Sequence, residues 1–166
     1  MNDAILVAYA TRYGSTAEVA GAVAEVLRSG GENVDLLPVG DVTDLSRYRA
    51  AVIGSPIYMG KWLAEAQVFI EKHQKELRKV PVAYFAVGMT VVDGGDEGRR
   101  KAEASMDQVR LLVQPVETAL FAGRLEPSEL SFTDKAIVTL VRAPSGDYRD
   151  WDAVRSWASG LPEKVR

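Results

Sequence analysis

The sequence predicts a three-layer α/β domain, a five-stranded parallel sheet of order 2-1-3-4-5 with helices on both faces. Short, almost unbroken apolar runs recur along the chain, and runs of that kind belong to strands buried on both faces. Segments with apolar residues at helical spacing alternate with these runs, which calls for parallel pairing through right-handed crossovers. With 166 residues, 47% of them hydrophobic, the chain has the apolar material for one compact domain over 1–166 and little room for a second.

Ala4-Ile5-Leu6-Val7-Ala8-Tyr9 is the first strand, and it stops at a polar loop from Thr11 to Gly14. From Ser15 the period changes. Val19, Val23, Val26 and Leu27 mark a helix that Gly30-Gly31 closes. Val34 to Leu37 reads as the second strand. Ala50 to Gly54 reads as the third, after a polar stretch containing Asp41, Asp44 and Ser46. Ser55 to Lys61 is expected as a loop, and Leu63, Ala66, Phe69, Ile70 and Leu77 as one amphipathic helix. Pro81 then introduces the strongest strand, Val82 to Val87. Gly94-Gly95-Asp96-Glu97-Gly98 reads as a loop before a helix whose inner side is Met106, Val109 and Leu112. Val116 to Phe121 gives a fifth strand ending at Gly123, and Trp151, Val154, Trp157 and Ala158 the final helix.

Residues 124–149 are left over, an insertion before the last helix that is too long for an ordinary connection. Phe132, Ala136, Ile137, Leu140 and Val141 fall on one helical face, with Asp134, Lys135 and Arg142 elsewhere around it. That helix is expected to pack on the domain edge. A partner-facing or membrane-facing role is the alternative, and the face shared by Ile137 and Leu140 offers a contact for a homodimer.

Composition excludes several function classes. Lys and Arg total 20 against 23 for Asp and Glu, a net charge of -3, so no field draws the chain to nucleic acid. The absence of cysteine rules out a disulfide, a thiolate nucleophile and a Cys-ligated metal, and the lone His73 cannot build a His-rich site. No basic run precedes the first apolar stretch, which turns polar by Thr11. The expectation is a cytoplasmic protein without a transmembrane segment.

A ligand is expected at the carboxyl ends of the first and third strands, where the connection order reverses. The loop Thr11-Arg12-Tyr13-Gly14-Ser15-Thr16 brings hydroxyls, a flexible glycine and free amides to a helix start, a seat for phosphate. Ser15 and Glu18 also match the S-x-x-E capping box, so Ser15 has two candidate roles. Arg12 either assists the phosphate or points to water. The second loop, Ser55-Pro56-Ile57-Tyr58-Met59-Gly60, pairs an aromatic ring with a glycine whose peptide can reorient, which suits a flat conjugated ligand. Tyr58 and Trp62 are equally readable as packing residues at a helix entry. The third loop, Gly88 to Asp93, offers amides and Thr90 to the other side.

Other nucleotide sites fail on their letters. The first loop has one glycine where a dinucleotide fold needs G-x-G-x-x-G. Gly54 and Gly60 are one residue too far apart for a P-loop, and Trp62 stands where Ser or Thr should hold magnesium. A receiver domain needs Asp where Ser55-Pro56 stands.

Val7-Ala8-Tyr9-Ala10-Thr11-Arg12-Tyr13-Gly14-Ser15-Thr16, followed by Val52-Ile53-Gly54-Ser55-Pro56-Ile57-Tyr58, resembles a flavodoxin-type FMN domain over the whole chain. Phe85-Ala86-Val87 with its non-acidic following loop, and the long insertion, look most like the branch containing menaquinone-dependent protoporphyrinogen oxidase. The resemblance implies a flavodoxin-like sandwich that binds FMN. Thr11, Arg12, Tyr13, Gly14, Ser15 and Thr16 would hold the phosphate. Ser55, Pro56, Ile57, Tyr58, Met59 and Gly60 would cover one face of the isoalloxazine. Val87, Gly88, Met89, Thr90 and Asp93 would flank its other side and pyrimidine edge. It further implies an electron-transfer protein or an FMN-dependent oxidoreductase, quinone-linked, with a redox partner protein, quinone or small molecule as its substrate. No side chain need be catalytic. The alternative is a non-enzymatic module that keeps the fold to bind a protein partner.

Overall fold

A computed structural model describes residues 3–93, 95–141 and 146–166. In chain order the elements begin with β1 (Ala4–Tyr9), α1 (Ser15–Ser29), β2 (Asn33–Pro38), β3 (Tyr48–Tyr58), β4 (Lys61–Trp62), α2 (Ala64–Lys72) and α3 (Gln74–Leu77). They continue with β5 (Val82–Gly88), α4 (Thr90–Asp93), α5 (Gly95–Ala104), α6 (Asp107–Leu112) and β6 (Glu117–Ala122). The last are β7 (Arg124–Leu125), α7 (Phe132–Val141), β8 (Gly146–Asp147) and α8 (Trp151–Lys164).

The long strands pair in parallel in the order β2-β1-β3-β5-β6, which is the expected 2-1-3-4-5 once the short β4 is set aside. Alternation along β1 sends Leu6 and Ala8 to one core layer, and Ile5 and Val7 to the other. The first layer holds Ala66, Ile70, Leu77, Met106 and Val109 from α2, α3 and α6 with its entry; the second holds Val19, Val23 and Leu27 from α1 and Val154, Ala158 and Leu161 from α8. Covering both faces is why these strands read as unbroken apolar runs. Each fully buried Val, Leu or Ile contributes about 1.5–3 kcal/mol. Tyr84 on β5 is buried, and its hydroxyl donates to the Val113 carbonyl at 2.7 Å, so the one polar atom it brings into the core has a partner.

Four expectations are corrected. The segment from Ser55 is not a loop: β3 runs to Tyr58 and turns back in an antiparallel hairpin, with Ile57 opposite Trp62 and Tyr58 opposite Lys61. Met59 and Gly60 form its turn with φ of 53° and 79°, the left-handed pair that a two-residue hairpin needs. The helix expected through Leu77 breaks at His73, whose φ of −106° and ψ of 15° leave helical geometry while its ring packs on Phe69. The third correction is that Gly95 to Gly98 are helical within α5; Gly94 lies outside the described residues. The fourth concerns α7. Phe132 and Leu140 are 89% and 83% exposed and Ala136 is exposed, while Ile137 and Val138 are half-buried and Asp134 is buried. Ile137 and Leu140 therefore do not share an outward face. Arg142 lies outside the described residues.

The insertion is a strap. Its ends meet as β7 and β8, antiparallel with Arg124 opposite Asp147, and α7 lies between them. No described helix is long and apolar enough to cross a membrane.

Candidate functional site

A cleft of about 850 Å³, mostly apolar, opens at the carboxyl ends of β1, β3 and β5. All three expected segments reach it, the second as the β3–β4 hairpin and the third, where a loop was expected, as the end of β5 with helix α4. Thr11, Arg12, Tyr13, Ser15 and Thr16 line it from the first. Pro56, Ile57, Tyr58, Met59 and Gly60 do so from the second, and Val87, Gly88, Met89 and Thr90 from the third. Ser55 is elsewhere: it is fully buried, and its hydroxyl accepts from the Leu63 amide at 3.0 Å and donates to the Pro56 carbonyl, tying β3 to the start of α2. Asp93 closes α4.

The first loop is shaped by Gly14, whose φ of 87° places it at the N-cap of α1 and whose amide donates to Thr11 Oγ1 at 2.9 Å. Helix bonding starts from the Gly14 carbonyl, which accepts from the Glu18 amide at 3.1 Å. Ser15 is thereby the first residue inside the helix and makes no cap bond. The capping-box reading is overturned, because Gly14 takes the cap position and the Glu18 carboxylate pairs with Arg149 instead. Ser15 Oγ is buried and without a hydrogen-bond partner among the described residues, beside amides that the first turn of a helix leaves unpaired. Across the cleft, Thr90 Oγ1 is buried and unpartnered as well. Gly98 of α5 permits the close approach there, since a Cβ on it would lie 2.3 Å from the Thr90 carbonyl oxygen.

Arg12, although its side chain is 40% exposed, is engaged by the protein itself. Its Nε donates to Asp134 Oδ2 at 2.6 Å, and its guanidinium carbon sits 4.6 Å from the centre of the Tyr58 ring. Tyr58 donates to Asp134 Oδ1 at 2.5 Å, and the Tyr13 hydroxyl donates to Oδ2. The hydrogen bond from Arg12 holds the Asp134 carboxyl well below the usual carboxylate range, against the opposing cost of desolvation; the bond to Asp134 in turn raises the Tyr58 phenol.

Asp134 is the residue that sequence reasoning missed. Its signal was a second face of α7, on which Asp134, Ile137 and Val138 line the cleft, with Leu130 beside them just before the helix. Lys101 and Arg124 at the rim were missed too, and both are tied to carboxylates, of Glu97 and Glu129. A smaller groove of about 570 Å³ along β2 includes Asp35, which is taken up by the Tyr48 hydroxyl at 2.7 Å and by Arg47 at 3.4 Å.

The model of the flavodoxin domain matches residues 6–152. The chain belongs to the flavodoxin domain family. It is similar to protoporphyrinogen IX dehydrogenase (quinone) of Escherichia coli strain K12, 25% identical over 173 residues that span 92% of this chain and 91% of that protein. The protein of the same name from Leishmania major is 26% identical over 172 residues, 93% of this chain and 72% of that one. Oxidised flavodoxin 1 of Bacillus cereus shares the fold with a TM-score of 0.63 over 98% of this chain and 99% of that chain, at 11% identity.

FMN is the cofactor of flavodoxin domains, and the cleft fits it. Two buried hydroxyls without partners among the described residues, Ser15 Oγ and Thr90 Oγ1, belong to residues on opposite walls of a mostly apolar space. An anionic tail and a polar ring edge supply what each of them lacks.

Proposed function

We propose that this flavodoxin-family chain is an FMN-dependent oxidoreductase that passes electrons to a quinone, with the turn at Thr11 as the phosphate seat. The observation that carries the reading is the buried, unpartnered Ser15 Oγ at the start of α1. Ser15, Thr16 and the first-turn amides of α1 receive the phosphate, helped by the partial positive charge of the helix start. Thr11 holds Gly14 and so shapes that turn. Tyr58 covers one face of the ring system, and Thr90 at the start of α4, with the end of β5, meets its polar edge. Gly60, with no Cβ to obstruct it, leaves its peptide free to turn a carbonyl or an amide toward the ring.

When bound, FMN supplies the redox chemistry by taking up and releasing electrons. The side chains hold it, orient it and keep water from one face. The quinone is supported by the names of the Escherichia coli and Leishmania major relatives and by the apolar wall of Met59, Ile137 and Val138. Protoporphyrinogen as the electron donor rests on those names alone.

Purified protein should be yellow, or become so on adding FMN, with one flavin bound per chain. After anaerobic reduction, a short-chain menaquinone should reoxidise the flavin faster than oxygen does. A protein that takes up no FMN sinks the whole reading. Flavin that binds but is indifferent to quinone sinks only the choice of acceptor.

A further inference from the structure

The strap is held in two different ways. At its base the fixings are extensive: β7 pairs with β8, and the Tyr148 amide donates to the Gly123 carbonyl at 3.1 Å. Arg149 bonds Asp147 at 2.7 Å, reaches Glu18 of α1 and lies 4.8 Å from the centre of the Trp151 ring. The strap is thus anchored to α1 and α8 next to the core.

Its middle is another matter. The large apolar residues Phe132 and Leu140 face water, and the inner residues Leu130, Ile137 and Val138 are only half-buried over the cleft. Hydrophobic burial gives α7 little reason to lie where it does. The side-chain bonds from α7 and the Ser131 before it to the cofactor loops converge on Asp134, joined by Ser131, whose amide donates to the Tyr13 hydroxyl at 3.3 Å. The Asp134 side chain is 3% exposed, and a buried carboxylate is tolerated only where donors satisfy it. Here Arg12, Tyr13 and Tyr58 do so, from both the first and the second loop.

The three groups around Tyr58 close on one another. Asp134 takes its hydroxyl, Arg12 stacks on its ring, and Arg12 is itself bonded to Asp134. The hydroxyl of Tyr58 and one face of its ring are therefore engaged, in a residue that itself lines the cleft. A free tyrosine at a cleft mouth turns about two side-chain bonds; this one is held in a single pose.

We propose that Asp134 is a positioning residue for the cofactor: from the strap it sets the Tyr58 ring in its stacking pose and holds α7 across the mouth, so that bound FMN is retained. The inference rests on the FMN reading above and adds to it a role for the insertion. Asp134 touches no reacting atom and acts through Tyr58 and Arg12.

The test compares FMN-loaded wild type with Asp134→Ala and Tyr58→Phe. FMN release is followed as fluorescence recovery after dilution, and ring stacking as the visible circular dichroism of the flavin. Asp134→Ala should release FMN about tenfold faster or more, with an altered dichroism band, because one change removes the acceptor for three donors. Tyr58→Phe keeps the ring and loses only the hydroxyl, and should show a smaller shift of the same sign. Should Asp134→Ala fail to fold, Tyr58→Phe and Arg12→Lys carry the test by the same criterion. Release within about twofold of wild type and an unchanged band overturn the proposal; so does a fall in melting temperature with both flavin readouts unmoved, the mark of a merely structural residue. A wild type that binds no FMN fails differently, since it removes the cofactor reading itself.

Discussion

Ser15→Asp should abolish useful FMN binding while leaving the protein at least as stable as wild type. The opposite signs make this substitution informative. An acidic residue in the first turn of a helix is favoured by the helix dipole, by about 0.3–1 kcal/mol. The same carboxylate would occupy the place where Ser15 Oγ now sits buried and unpartnered. It replaces a hydrogen bond to a charged group, worth about 1.5–3 kcal/mol, with repulsion between like charges. Together these amount to a loss of roughly 100-fold or more in affinity. Isothermal titration with FMN and a thermal melt of the apoprotein read the two quantities separately. Retained affinity would mean that the phosphate lies elsewhere. Thr16 is the poorer position for such a charge, because at 1% exposure an acid there would damage the fold as well.

Gly54→Ala should strongly destabilise the protein, its added methyl making the shortest clash among the described glycines. Gly54 lies opposite Phe85 in the ladder between β3 and β5. A Cβ on it would sit 2.0 Å from Cζ and 2.2 Å from Cε2 of the Phe85 ring. The ring cannot retreat: Phe85 is fully buried and is packed 6.1 Å from the centres of both Phe121 and Trp157. Overpacking of this kind costs about 3 kcal/mol, at the upper end for core insertions. Gly21→Ala is the counterpart. It lies within α1 with nothing inside 4 Å of its added Cβ, and should stabilise by about 0.5–1 kcal/mol. Urea denaturation of the three proteins decides both; a Gly54→Ala loss below about 1 kcal/mol would mean that the sheet shifts to absorb the methyl.

Most of the sheet was legible because burial on both faces leaves a mark that survives in one strand alone, as in Val82 to Val87. What escaped was decided by backbone geometry and pairing that residue types alone do not fix, and for α7 by partners distant in sequence. Pro56 and Gly60 punctuate their segment like a loop, and the pairing of Ile57 with Trp62 and of Tyr58 with Lys61 makes it a hairpin. The letters around Ser15 fit a cap, yet the cap depends on which residue takes the left-handed turn, and Gly14 does. For α7 the apolar stripe of Phe132, Ala136, Ile137, Leu140 and Val141 reads as the inner side, yet of these Phe132, Ala136 and Leu140 are exposed and Ile137 is half-buried over the cleft. That helix crosses a cleft rather than a core, so burial does not choose its face. The choice falls to Asp134, whose partners Arg12 and Tyr58 lie 122 and 76 residues away. The three segments at the strand ends meet at one cleft because chain order fixes where strand ends lie, although two of them are not loops; the strap over them carries no such rule.

The phosphate seat is tested most directly by titrating the apoprotein side by side with FMN and with riboflavin, which keeps the ring system and lacks the phosphate. FMN should bind at least about 100-fold more tightly, the gain expected from charge-assisted bonds at a helix start. Affinities equal within about threefold would contradict a phosphate held by the turn from Thr11 to Thr16.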